Sequence, residues 1–212
     1  MENNTACKIN KIDFDLISTD LEINSSDDNI IKVELYSNSS EVPDVNNIDN
    51  IIYVNEKSSK CFGICNNRRK VILYIPREYN NELNIKTVSG DIRINDNLPE
   101  STLNIETKSG DAKISSTYIL NIKTISGDVK IDEVLDNAVI KTMSGNVNID
   151  KLNIKTDSRI ETTSGDVKIN NNVSNCYVEF KTTSGDSKIN KYDRKSDIVL
   201  NVKTISGDIR VN

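Results

Sequence analysis

The chain has 212 residues, of which 36% are hydrophobic and 28% charged, with a formal net charge of −5 and no histidine. That length allows one or two domains, and the acidic, interspersed charge argues against nucleic acid, since duplex binders show a basic excess. Without histidine no Ser-His-Asp arrangement can form, and no apolar run is long enough to cross a bilayer as a helix, so no membrane insertion by this chain is expected.

Residues 1–82 are irregular. No signal-peptide core stands near Met1, and Cys7 has no apolar segment before it that would support a lipid anchor. This fits a soluble protein or the extramembrane part of a longer one. Ser18-Thr19-Asp20-Leu21-Glu22-Ile23-Asn24 reads as a degenerate copy of a motif that recurs later, with threonine in the glycine position. Residues 29–36, 51–54 and 70–75 alternate as strands, and residues 37–50, with Pro43, read as a loop. In Cys61-Phe62-Gly63-Ile64-Cys65 the two cysteines suit free thiols or a local disulfide better than a metal. A structural zinc needs four ligands, and Cys7 and Cys176 stand alone. No cofactor or metal is assigned. This region is expected to begin a stack and cap its first edge, because terminal repeats are atypical.

Residues 83–212 are regular. Thr87-Val88-Ser89-Gly90-Asp91 returns as Thr107-Lys108-Ser109-Gly110-Asp111, and then five times more around Gly127, Gly145, Gly165, Gly185 and Gly207. Only Asn146 breaks the aspartate position, and the spacings of 20, 17, 18, 20, 20 and 22 residues between glycines mark a repeat architecture. Before Gly90 the apolar residues are Leu83 and Ile85; after it they are Ile92 and Ile94. Each run has a period of two, and the phase slips by one at the glycine. Each repeat is therefore a strand, a Ser-Gly-Asp corner, a second strand and a variable connector such as residues 96–101. Glycine serves where φ must be positive or backbone must pass closely. A two-residue hairpin would satisfy this parity too. Near-identical copies stack naturally as rungs, and crossovers between parallel strands are right-handed. The sequence therefore predicts an all-β, single-stranded, right-handed β-solenoid, a parallel β-helix with rungs of about 20 residues. Residues 1–82 are its irregular cap and residues 83–212 its regular body, in one continuous domain.

Most candidate chemistry falls away. The motif glycines stand singly, so they make no phosphate loop. Calcium-binding β-rolls use a nine-residue period with several glycines, which this chain lacks. Recurrence at every rung points the aspartates to a corner role, bonding turn backbone, rather than to paired acid–base catalysis. What stands out is charge in columns. Arg93, Lys113, Lys130, Lys168, Lys188 and Arg210 share one outward position; Lys86, Lys123, Lys141, Lys181 and Lys203 share another. A solvated face balanced by aspartates is the bland reading, and a strip for an anionic polymer is the sharper one. The final copy, residues 209–212, predicts an exposed strand edge open to edge-to-edge homodimerisation.

Val71-Ile72-Leu73-Tyr74-Ile75-Pro76, followed by Leu83-Asn84-Ile85-Lys86-Thr87-Val88-Ser89-Gly90-Asp91-Ile92, resembles the bacterial β-strand-repeat family known as putative adhesins, whose function is unknown. The resemblance covers residues 70–212 well and residues 1–69 loosely. It implies a β-solenoid at the cell surface or otherwise outside the cytoplasm, and it carries no catalytic residues. The residues themselves leave a cytoplasmic location open. The expected function is a non-enzymatic surface binding or adhesion module for an anionic polymer or another protein. The alternatives are a structural or regulatory envelope protein acting by self-assembly or protein contact, and a carbohydrate-active β-helix enzyme.

Overall fold

The computed structural model of the protein describes residues 4–5, 9–38, 41–57, 68–170, 175–190 and 193–212. These form eighteen strands and no helix. The irregular part supplies β1 (Asn4–Thr5), β2 (Lys11–Asp15), β3 (Asp20–Ser26), β4 (Ile30–Ser37), β5 (Asp44–Ile48), β6 (Ile51–Asn55) and β7 (Arg69–Pro76). The repeats supply β8 (Glu82–Thr87), β9 (Ile92–Thr107), β10 (Ala112–Lys123), β11 (Val129–Lys141), β12 (Val147–Leu152) and β13 (Ser158–Glu161). They end with β14 (Val167–Ile169), β15 (Tyr177–Lys181), β16 (Ser187–Ile189), β17 (Val199–Lys203) and β18 (Ile209–Val211).

Pairing is mostly parallel and runs between copies of the repeat, which removes the hairpin alternative. Before the corner, Ile85 pairs with Ile105, Ile105 with Ile122, Ile122 with Ile140 and Ile140 with Ile160. After it, Ile92 pairs with Ala112, Ala112 with Val129, Val129 with Val147 and Val147 with Val167. Each match places the same repeat position one level higher, so inward apolar residues form columns. All of these are at most 3% exposed. Burying one such side chain contributes about 1.5 to 3 kcal/mol, and the columns form one continuous core.

The connectors are more ordered than their sequence suggests. Residues 96–101 continue as strand within β9. Leu98, Thr117, Val134 and Leu152 stack in a further ladder, all buried. Leu98, Val134 and Leu152 are inward apolar positions that the mixed polarity of the connectors hides. Residues 37–50 also contain a strand, since β5 pairs antiparallel with β6 through Ile48 and Ile51. Asp49 and Asn50, between them, have φ of 53° and 62°. Positive φ at both central residues is what a tight hairpin turn with matching twist requires.

Sequence order and stacking order part company at both ends. The degenerate copy is a genuine level: β2 pairs with both β6 and β8, and β3 with both β7 and β9. The later pair β6 and β7 therefore lies outside it, and antiparallel β5 and β4 lie beyond that pair. At the other end β17 lies between β13 and β15, and β18 between β14 and β16. This corrects the expectation of an open edge and edge-to-edge homodimer at residues 209–212. Ile209 and Val211 are fully buried, with neighbours on both sides. The physical reason lies in the inward columns. The final copy presents Leu200, Val202, Ile209 and Val211, all buried, whereas the copy before it sets Val178, Phe180, Ser187 and Ile189 against them, so that Ser187 alone breaks the apolar columns. The more apolar copy takes the inner place.

Candidate functional site: the corner and its flanking columns

The corner is built by close approach. A Cβ at Gly127 would lie 2.0 Å from the carbonyl oxygen of Gly110, and the other motif glycines meet the level before them in the same way. None of them takes a positive φ, so contact between backbones, and not left-handed geometry, selects glycine here. Thr19 stands in the glycine position of the outermost motif level, and its own carbonyl oxygen lies 2.1 Å from the Cβ position at Gly90.

Each conserved position of the repeat carries a bond. The Gly90 N–H donates to Thr87 Oγ1 at 3.1 Å, and Gly110, Gly127, Gly145 and Gly165 do likewise with their own threonines. The serine N–H donates to the previous level, as Ser109 does to the Val88 carbonyl at 3.0 Å. The aspartates form a relay: the Asp111 N–H donates to Asp91 Oδ1, Asp128 N–H to Asp111 Oδ1, and Asn146 N–H to Asp128 Oδ1. Asp166 N–H then donates to Asn146 Oδ1 at 3.0 Å. The relay needs an Oδ1 and not a charge, which explains why asparagine is accepted at residue 146.

At its outer end the relay finishes on Asp20, whose Oδ1 accepts the Asp91 N–H at 3.0 Å, and Glu56 closes the corner beside it. The Glu56 carboxylate accepts the N–H groups of Ile17, Ser18 and Thr19 at 2.7, 3.0 and 3.0 Å, and it meets Arg69 Nη1 at 3.0 Å with both side chains buried. Burial pushes the Glu56 pKa up, but the N–H groups of Ile17, Ser18 and Thr19 outweigh it and hold the carboxyl below its usual range. Removing one partner of such a buried pair strands the other charge. Glu56 and Arg69 were not singled out in the sequence. Their partner segments are far apart in the chain, and no local pattern joins them.

Outside the corner the predicted cations do come together. Arg93 pairs with Lys113, Lys113 with Lys130, Lys168 with Arg210 and Arg210 with Lys188. Asn148 fills the position between Lys130 and Lys168. All six cations are exposed. They lie beside the aspartate relay, and Arg210 Nη2 reaches Asp208 Oδ2 at 2.9 Å. The second file contains Lys86, Lys123, Lys141, Lys203 and Lys181, interrupted by Glu106 and Glu161. A third file was missed: the residue between Thr and Ser is Val88, Ile125, Met143 or Ile205 in four copies, and each is exposed. Reading that variable position for polarity in every copy would have found it.

Among the described residues no group of three or more His, Cys, Asp or Glu side chains could hold a metal ion. Burial pushes the Cys176 thiol up to about 11, which keeps it protonated and unreactive. Cys7, Cys61, Gly63 and Cys65 lie outside the described residues. No described helix is long and apolar enough to cross a membrane.

Two solved structures share this fold over nearly their whole length, and a third is similar at a lower score. A "putative adhesin" from Bacteroides fragilis superposes with a TM-score of 0.55 at 16% identity, covering 100% of this chain and 95% of that one. A "putative lipid binding protein" from Parabacteroides distasonis gives 0.51 at 15% identity, with the same coverage of 100% and 95%. A "putative cell adhesion protein" from Clostridium sporogenes gives 0.45 at 14% identity, covering 99% and 96%. At such identities the likeness is one of fold. No curated protein matches the chain. The sequence matches the Toastrack DUF4097 family over residues 9–212, and the chain therefore belongs to that family, a domain of unknown function.

Proposed function

We propose that the protein is a non-enzymatic binding module at a cell surface, whose regular face takes an anionic polymer such as a wall polymer or an acidic glycan. Its frame is a right-handed β-solenoid of about 20 residues a turn, in which residues 1–82 cap residues 83–212 as one domain. The adhesin name of the Bacteroides fragilis neighbour agrees with a surface location. The observation that carries the reading is the file of exposed cations at Arg93, Lys113, Lys130, Lys168, Arg210 and Lys188, held in register by the strand ladder. Levels about 4.8 Å apart repeat charge at a spacing that a polymer with regular anionic groups can follow. The neighbouring aspartates each spend one oxygen on the backbone of the next level, which turns part of their acceptor capacity inward.

The test is retention on immobilised polyglycerol phosphate and on an acidic glycan. Binding should weaken steeply at about 0.5 M salt, where the Debye length is roughly 4 to 5 Å. Changing Lys130, Lys168 and Lys188 together to Gln should remove most of the retention without altering the fold. Retention insensitive to both salt and the triple change would leave the cation file as a solvated face.

A further inference from the structure

The missed apolar file carries a second, separate surface. Nine large hydrophobic side chains are exposed among the described residues, and four of them occupy one repeat position. They are Val88, Ile125, Met143 and Ile205, at 39%, 45%, 55% and 54% exposure. Surface apolar residues scattered singly need no explanation, but these four recur at one position of the repeat. The corner bonds place these residues in one line. Ser144 N–H donates to the Ile125 carbonyl, Ser164 N–H to Met143, and Ser206 N–H to Thr163. Ser184 N–H then donates to Ile205. Lys108 and Thr163 fill the intervening positions, so the line reads aliphatic with polar breaks.

Two residues earlier in each copy stands the lysine file, with five cations against Glu106 and Glu161, and Asp15 of the degenerate level next to Lys86. Between the two files runs a shallow groove floored by the buried threonines Thr87, Thr107 and Thr124. It measures about 370 Å³ over the first levels, and a similar groove of about 450 Å³ passes Lys141, Thr162 and Lys203 further along. Lysines and aliphatic side chains therefore stand two residues apart along the same levels. A polyanion in water would use the lysines and gain nothing from the aliphatic tips.

We propose that this edge, Val88, Ile125, Met143 and Ile205 with the flanking lysines, docks along the surface of an anionic lipid bilayer. A bilayer offers both complements at the right depth: acidic headgroups for the lysines, and the acyl boundary for the aliphatic side chains. Six levels about 4.8 Å apart, from Val88 to Ile205, make a contact roughly 24 Å long, lying in the plane of the membrane without crossing it. The relay residues, aspartate in every copy but that of Asn146, follow three residues after the aliphatic position. This site is separate from the Arg93 file and does not depend on the polymer reading.

The experiment is co-sedimentation with large vesicles of phosphatidylglycerol mixed into phosphatidylcholine, against vesicles of phosphatidylcholine alone. The wild-type protein should bind the anionic vesicles at least roughly tenfold more strongly. Ile125→Ser, Met143→Ser and Ile205→Ser together should weaken that binding by roughly tenfold or more, with an unchanged melting temperature because all three side chains are exposed. Lys86→Gln, Lys123→Gln and Lys203→Gln together should abolish the preference for anionic lipid. The change of Lys130, Lys168 and Lys188 to Gln should leave vesicle binding intact, and the serine variant should leave polymer retention intact. Wild-type protein that stays in the supernatant with both vesicles overturns the proposal. So does a serine variant that binds like wild type.

Discussion

The last two copies of the repeat share the same Thr-x-Ser-Gly-Asp corner yet hold opposite positions in the stack. The copy around Gly207 comes last in the chain and is sandwiched; the copy around Gly185 comes before it and lies outside. The corner motif is common to both, so it does not choose the place. The inward columns do. Val202 is fully buried and Phe180, its partner one level out, is 46% exposed. Ile209 is fully buried and Ser187, its partner, is exposed. The other end shows the same device with different parts. There an early level, β2 and β3, is sandwiched, and the outer level is closed by antiparallel strands and by the Glu56–Arg69 pair. Identity of motif builds the stack; differences in core residues decide its order.

The sharpest way to break this comparison is to place the same side chain at both glycines. A Cβ at Gly207 would lie 2.2 Å from the Gly165 carbonyl oxygen, and one at Gly185 would lie 2.1 Å from the Gly207 carbonyl oxygen. Contact alone therefore predicts equal damage, and position in the stack predicts unequal damage. Gly207→Val forces apart levels that are paired on both sides, and should cost about 4 kcal/mol or more, the diagnostic range for a single change. Gly185→Val needs only the outer level to peel away, a local opening that should cost about 1 kcal/mol. Chemical denaturation of the two variants decides this, and equal losses would reject the observed stacking order.

A smaller effect is expected from the closed end. Glu56→Gln leaves Arg69 buried without its counter-charge and should destabilise by about 3 kcal/mol. Replacing both, with Glu56→Gln and Arg69→Met, should recover much of that loss, since buried pairs give way to apolar groups at little net cost. The pH dependence has a definite sign. The folded-state pKa of Glu56 is depressed, so its contribution is fully present above the unfolded value of about 4.3. It is lost as the pH falls through the lower folded value. The stability gap between wild type and Glu56→Gln should therefore be constant near neutral pH and close only in acid. A gap that widened in acid would contradict this assignment.

How much of this was legible in the sequence follows from what is local. The strands of the repeat, the corner and the degenerate level at Thr19 follow from alternation and from the recurring glycine, and all are found in the structure. The aspartate role was legible in kind, but the relay from one level to the next involves pairs about 20 residues apart that no turn rule supplies. The hairpin at Asp49 and Asn50 was hidden because the short, polar β5 shows no alternating apolar run. The stacking order was hidden for a different reason. Period detection assumes that neighbours in sequence are neighbours in space, and both chain ends break that assumption. Ser187 was the available clue: it is the one hydroxyl in a column otherwise occupied by Ile92, Ala112, Val129, Val147, Val167 and Ile209.

That clue gives the mildest test of the comparison. If Ser187 marks the outer level because an apolar residue there would face water, then Ser187→Val should gain little. Its partner Ile209 is already fully buried, so the new side chain covers no further core on the inner side. The remaining gain is the strand preference of a β-branched residue and partial burial of its own methyl groups, about 0.5 kcal/mol. Val at this position also strips a polar group from the outer level, and an outer strand that is more apolar is a better template for pairing with another chain. The variant should therefore melt slightly higher at low concentration and scatter more light as concentration rises. A stabilisation of about 2 kcal/mol, the scale of a fully buried valine, would mean that residue 187 is covered after all. That result would require the outer level to be an interior one.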